Sequence, residues 1–244
     1  MRAAALAFAL VTGGAASAQT ITAADFSEPT DRYDHGILGD AIEWGSLRMT
    51  VAGAAGPVTY AVVLPDDLVF EDISPRLWDV TGDGAPEVIV VQSSLTQGAR
   101  MQVWGLAGGT VHLLAATDFL GQPHRWLAPA GAADLDGDGR IEIALVDRPH
   151  LARVLRILRY VPGANDGGTL QEVAAVSGLT NHRIGDPLIS GGLRDCGGQR
   201  SIVTASPDWS RVLATRFDGT TATTVDLGPN DTPVALRDAL TCDR

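Results

Sequence analysis

Two nine-residue stretches of this chain share one pattern, and their offset of 55 residues restricts the folds open to it. The fuller copy reads Asp134-Leu135-Asp136-Gly137-Asp138-Gly139-Arg140-Ile141-Glu142; the other reads Asp79-Val80-Thr81-Gly82-Asp83-Gly84-Ala85-Pro86-Glu87. Small residues, Ala130-Gly131-Ala132-Ala133, lead into the fuller copy. Apolar runs leave both copies, Ile143-Ala144-Leu145-Val146 and Val88-Ile89-Val90-Val91. Arg48, Arg100, Arg153 and Arg211 each open an apolar segment, at intervals of 52, 53 and 58 residues, and His124-Arg125 recurs 58 residues on as His182-Arg183. A period of about 50–60 residues holding about four short strands is the pattern of propeller blades. One such unit cannot bury its faces alone, so neighbours must stack.

The expected fold is therefore all-β, a small β-propeller of four or five four-stranded blades. The blades fall near residues 33–67, 68–117, 124–176 and 182–227 of a single domain spanning 33–244. Residues 19–32 show no pattern and read as an arm. Segment 231–242 reads as an inner strand that returns to the first blade and closes the ring, because Leu236-Arg237-Asp238 echoes Leu193-Arg194-Asp195. Arg153, Arg156 and Arg159 recur at helical spacing, but the counterparts of that segment in the other units read as strands, and strand is expected here too.

Oxygen-only side chains at alternate positions of a glycine-bent loop suit a hard cation. Calcium takes six to eight oxygens at about 2.3–2.6 Å, and alternate residues of a tight loop can converge to supply them. The candidate ligands are Asp134, Asp136, Asp138, the Arg140 carbonyl and Glu142, with Asp79, Thr81, Asp83, the Ala85 carbonyl and Glu87 as a second, weaker set. The spacing is not that of an EF-hand, whose twelfth loop position is a bidentate Glu; here it is Leu145. The fourth unit has Asp195-Cys196-Gly197-Gly198-Gln199 at this place and lacks the carboxylates.

Residues 1–18 have the charged start, apolar segment and Ala16-Ser17-Ala18 end of a secretory signal, so export to the periplasm or medium is expected. In that compartment two cysteines read as one disulfide, Cys196 to Cys242. The net charge is −11 and every basic side chain among the Lys+Arg count of 18 is arginine. Such an acidic chain lacks the basic patch that nucleic acid requires. No later stretch is apolar enough for a membrane span.

These residues resemble the FG-GAP/VCBS repeat of integrin alpha-chain N-terminal propellers and of many exported bacterial proteins. The resemblance covers 68–147 well, 182–227 weakly, and 33–64 by length and strand text. It implies a β-propeller with calcium in its strand-connecting loops and a role in binding rather than chemistry. Full-size members carry about seven blades, where this chain supports four or five.

The sequence contains no H-E-x-x-H, no G-x-S-x-G and no Cys/His pair at catalytic spacing. The expected role is a non-catalytic binding module with a protein or carbohydrate partner that no residue identifies. The alternative is a hydrolase or sugar-binding protein with an axial site built from Asp34, His35, His124, Arg125, His182 and Arg183, or from Asp40 beside them. Trp44, Trp78, Trp104, Trp126 and Trp209, about one per unit, are packing residues or sugar platforms on this reading.

Overall fold

The computed structural model describes residues 19–164 and 167–242; the expected secretory signal lies outside the described residues. The described residues are all-β, with sixteen strands and one short helix in three antiparallel sheets. The strands are β1 (Thr20–Thr30), β2 (Glu43–Ala52), β3 (Val58–Val63), β4 (Leu68–Phe70), β5 (Arg76–Trp78), β6 (Glu87–Ser94), β7 (Gly98–Ala107), β8 (Thr110–Ala116), β9 (Leu127–Ala133), β10 (Glu142–Asp147), β11 (Val154–Pro162), β12 (Gly168–Ser177), β13 (Gly192–Cys196), β14 (Gln199–Ala205), β15 (Arg211–Phe217) and β16 (Ala222–Pro229). The helix α1 is Ala235–Leu240.

Three units repeat one up-and-down meander: β5-β6-β7-β8, β9-β10-β11-β12 and β13-β14-β15-β16. The second strand of each is its apolar run. β6 and β10 are buried along their whole length, since each lies between two strands of its own sheet and is covered on both faces. β-Branched side chains fit such a doubly covered strand. A register shift between third and fourth strands recurs in all three units, at Val103/Trp104, Ile157/Leu158 and Val212/Leu213. A bulge bends and twists the strand that carries it. β11 is a strand, as its counterparts imply.

One core cluster runs through the three units, from Val91 and Met101 through Ile143, Leu145 and Leu155 to Ile202 and Phe217. The approach between units is close at Gly131, where an added Cβ would lie 2.9 Å from Leu193 Cβ. Any larger residue there would push β9 away from β13.

The chain departs from expectation at both ends. The expected arm forms β1, which pairs along β2 from Thr20↔Ala52 to Thr30↔Glu43. The first unit is not a separate four-stranded blade. β1, β2 and β3 form a sheet joined edge-on to the second unit through β4, which pairs with β2 at Trp44↔Phe70 and with β6 at Leu68↔Ser94. Ile21, Leu47, Met49 and Phe70 then pack on Val88 and Val90 of β6. The expected closing strand is absent: Ala235–Leu240 is a helix. Its Ala235, Leu236 and Ala239 cover Val203, Ala205 and Val212 on the fourth unit, where a further sheet would have to pack. Cys196 and Cys242 are disulfide-bonded, with Cα atoms 5.8 Å apart, and hold the end of that helix to the first hairpin of the unit.

Candidate functional site

The loop between β9 and β10 gathers three carboxylates. Asp134, Asp136 and Asp138 each offer an oxygen, and these lie within 4.8 Å of one another. Two oxygens on opposite sides of a calcium ion are at most about 5 Å apart, so the three fit one ion. The backbone sets this shape. Asp134 accepts N–H bonds from Gly137 at 2.7 Å and Gly139 at 3.1 Å, and both glycines have positive φ, 83° and 85°. Asp136 accepts from Asp138 N–H, and Asp138 from Arg140 N–H. The Arg140 guanidinium also bonds Asp138 and holds its carboxyl down at about 2.

Glu142 does not join this cage. It is buried, with Oε2 accepting Leu135 N–H at 2.9 Å and Oε1 accepting Arg159 Nε at 2.6 Å. Arg159 lies opposite it on β11 and reaches on to Asp136 at 3.0 Å and Asp138 at 3.4 Å. A guanidinium thus already neutralises part of the acidic loop from below. Sequence reasoning placed Arg159 in a strand and gave it no role. Its signal was present, since it sits on the strand that must pair with the one carrying Glu142.

In the second-unit loop Asp79 likewise accepts from Gly82 and Gly84 N–H, and Asp83 from Ala85 N–H. Glu87 again turns inward, to the N–H groups of Val80 at 2.8 Å and Thr81 at 3.1 Å, and the Thr81 hydroxyl bonds Glu87 rather than standing free. Burial pushes the Glu87 carboxyl up. No arginine answers it: the register that pairs Val88 with Trp104 puts Gly105 across from Glu87. The fourth unit has a two-residue hairpin instead, Gly197-Gly198, both with positive φ. That geometry is what paired glycines favour, and it leaves no loop to carry ligands.

The expected axial set is divided. His35, His124 and Arg125 line one cavity of about 270 Å³ with Ile37, Trp126, Arg148, Pro149, His150, Leu151 and Ile184. Asp34 stands at its edge, bonded to His124 Nε2 at 3.0 Å. His182 is buried behind the cavity, where its Nδ1 meets His150 Nε2 at 3.0 Å and its Nε2 meets the Asp186 carbonyl at 2.8 Å. Arg183 faces elsewhere and stacks on Trp209 with 4.3 Å to the ring centroid. Asp40 caps its own turn through Ile42 N–H. His35 Nδ1 bonds the buried Glu71, whose other oxygen takes the Ser93 hydroxyl. Trp126 donates to the Glu71 carbonyl at 2.8 Å. His150, Glu71 and Glu43 escaped the sequence reading because only strand pairing brings them near His35 and His124. Burial, then His182, lowers His150 to about 4; burial, then Glu71, raises Glu43 to about 9.

The tryptophans serve packing in the main. Trp126 is fully buried, and Trp44 stacks with Phe26 in the N-terminal cluster. No helix among the described residues is long and apolar enough to cross a membrane. Residues 79–145, from the first acidic loop to the middle of β10, match the model of the FG-GAP-like repeat family. No curated protein matches the chain.

Proposed function

We propose that this chain, whose residues 79–145 match the FG-GAP-like repeat family, acts as a calcium-stabilised, exported, non-catalytic interaction module of the propeller type, its stacked units offering a surface to a protein or carbohydrate partner. The observation that carries the calcium reading is the convergence of Asp134, Asp136 and Asp138 within 4.8 Å on a loop inside the matched repeat. Bound there, calcium would relieve the repulsion of the three carboxylates and tie β9 to β10. The second loop offers fewer charges and binds more weakly. Export is supported by the leader-like residues 1–18 and by the disulfide.

Chelation is the test. A ligand that binds only the folded state stabilises it by about 2.7 kcal/mol at a hundredfold excess over its dissociation constant. Melting temperature should rise with added calcium and fall with chelator. Asp134→Asn should remove most of that shift and Asp79→Asn a smaller part. An identical melting temperature in calcium and in chelator would remove the metal from the account.

The hydrolase reading has one observation in its favour, His35 held by the buried carboxylate of Glu71 at the wall of a cavity. Glycoside chemistry needs two carboxylates about 5–9 Å apart facing the substrate. Of the carboxylates near this cavity, Glu71 is buried behind His35 and Asp34 is held by His124 at the edge, so binding is the better reading. Release of sugar from a panel of aryl glycosides would restore the alternative.

A further inference from the structure

The cavity of about 270 Å³ beside His35 is the basic concavity of an acidic chain: three histidines and two arginines line it, and no carboxylate does. The nearby acidic groups each pair with a wall residue other than Arg125, Asp34 with His124 Nε2 at 3.0 Å among them. Asp147 takes the Arg148 guanidinium through two bonds, at 2.7 and 3.0 Å, and Glu71 takes His35. Arg125 has no acidic partner among the described residues; its nitrogens bond the His124 carbonyl and the Gln122 side chain. Its full positive charge is therefore left at the cavity wall.

His150 fixes a second requirement. His182 Nε2 faces a carbonyl oxygen, so it must carry the proton and donate it. Burial lowers the His182 imidazole and so favours its neutral form; with Nε2 carrying the proton, Nδ1 is the acceptor facing His150 Nε2 at 3.0 Å. His150, also neutral, is left with a bare Nδ1, an acceptor that repels a carboxylate oxygen and takes an N–H or O–H.

The third requirement is apolar. Trp126 and Ile37 are buried in the wall, while Leu151 and Ile184 stand exposed at the rim, 64% and 73%. Two of the wall residues also hold backbone conformations that side chains disfavour, His124 at φ 56° and Arg148 at φ 46°. Strain of that kind gathers at ligand sites, where the surrounding structure maintains it.

We propose that this cavity binds a small organic carboxylate that also carries an N–H or O–H donor and an apolar side chain, as in an N-acylated amino acid. Arg125 takes the carboxylate, His150 the donor, and Leu151 and Ile184 close over the apolar group. This rests on the reading of the chain as a binding module and is independent of calcium.

The test is titration calorimetry of the full exported chain with N-acetyl-leucine, repeated with N-acetyl-leucinamide and with acetate, in calcium and again in chelator. The expected result is one site for N-acetyl-leucine, with the amide and acetate each weaker by at least about tenfold. Arg125→Gln should weaken N-acetyl-leucine by about tenfold or more and leave the melting temperature unchanged, since Arg125 is half-exposed and has no ion pair. No heat with N-acetyl-leucine, equal binding of its amide, or an unaffected Arg125→Gln overturns the proposal. Failure of the calcium reading shows separately, as a melting temperature indifferent to chelator.

Discussion

Arg159 and Glu142 face each other across β11 and β10, with Nε donating to Oε1 at 2.6 Å, and the same guanidinium reaches Asp136 at 3.0 Å. The acidic loop is therefore not a bare ring of carboxylates. One permanent cation is built in, and burial works against its charge while Glu142 more than restores it, so that Arg159 stays protonated. A calcium ion in this loop would sit near a like charge.

Replacing Arg159 separates these roles. Removing one member of a buried ion pair strands the other, and the usual cost is about 3–5 kcal/mol. Arg159→Gln should lose about that much stability in chelator, because Glu142 is then buried without its partner. In calcium much of the loss should be recovered, since the ion replaces the missing charge. The calcium-dependent rise in melting temperature should thus be larger in the variant than in the parent. A smaller rise would mean that Arg159 organises the loop for metal rather than competing with it.

Glu43 makes stability fall as pH rises. Burial, then the neighbouring Glu71, raises its carboxyl from 4.5 to about 9. Between those values the folded chain holds a proton that the unfolded chain has released, so folding is progressively disfavoured. One of its oxygens, Oε2, has no hydrogen-bond partner. Glu43→Gln keeps the shape and cannot ionise. It should be more stable than the parent by about 1–3 kcal/mol at pH 8, with the advantage shrinking toward pH 4.5. Denaturant midpoints measured across that range check the slope.

His150 tilts stability the other way. Its folded value is about 4 against 6.5 unfolded, through burial and His182. As pH falls from 6.5 to 4 the unfolded chain takes up a proton that the folded chain refuses, and stability drops. His150→Gln should flatten this acid limb while leaving the alkaline limb set by Glu43. Equal acid midpoints for parent and variant would show that another group sets the limb.

The strands of the second to fourth units were legible because each contains one long apolar run fenced by glycine turns, as in Val88-Ile89-Val90-Val91. β1 was not, since Thr20–Thr30 is covered on only part of one face and carries no apolar run. Helix α1 was misread as a strand: it is six residues long with no side-chain cap, so no start signal marks it. The three-aspartate cage was written in alternate positions of one loop and needed no tertiary knowledge. Glu142 follows the same alternation, yet it belongs to β10 and turns under the loop to Arg159, which the loop's spacing alone does not reveal. The cavity was half legible. His124 and His35 announced themselves near strand starts, but Glu71 and His150 reach them only through pairings between units.

The disulfide fixes the C-terminal helix, and that gives the last expectation. Helix α1 is too short to persist alone, because isolated helices under about 12–15 residues are marginal. Its attachment rests on the packing of Ala235, Leu236 and Ala239 against the fourth unit and on Cys196–Cys242, which closes a span of 46 residues. In the chain-entropy model a loop of that size contributes about 4 kcal/mol. Cys196→Ser with Cys242→Ser should lower stability by about that amount and release the helix before the sheets melt. Val203, Ala205 and Val212 would then be uncovered. Limited proteolysis should cut the variant near Thr232 while the parent resists, and an apolar dye should bind the variant below its melting transition. If the variant resists cleavage as the parent does, packing alone holds the helix and the disulfide is dispensable there.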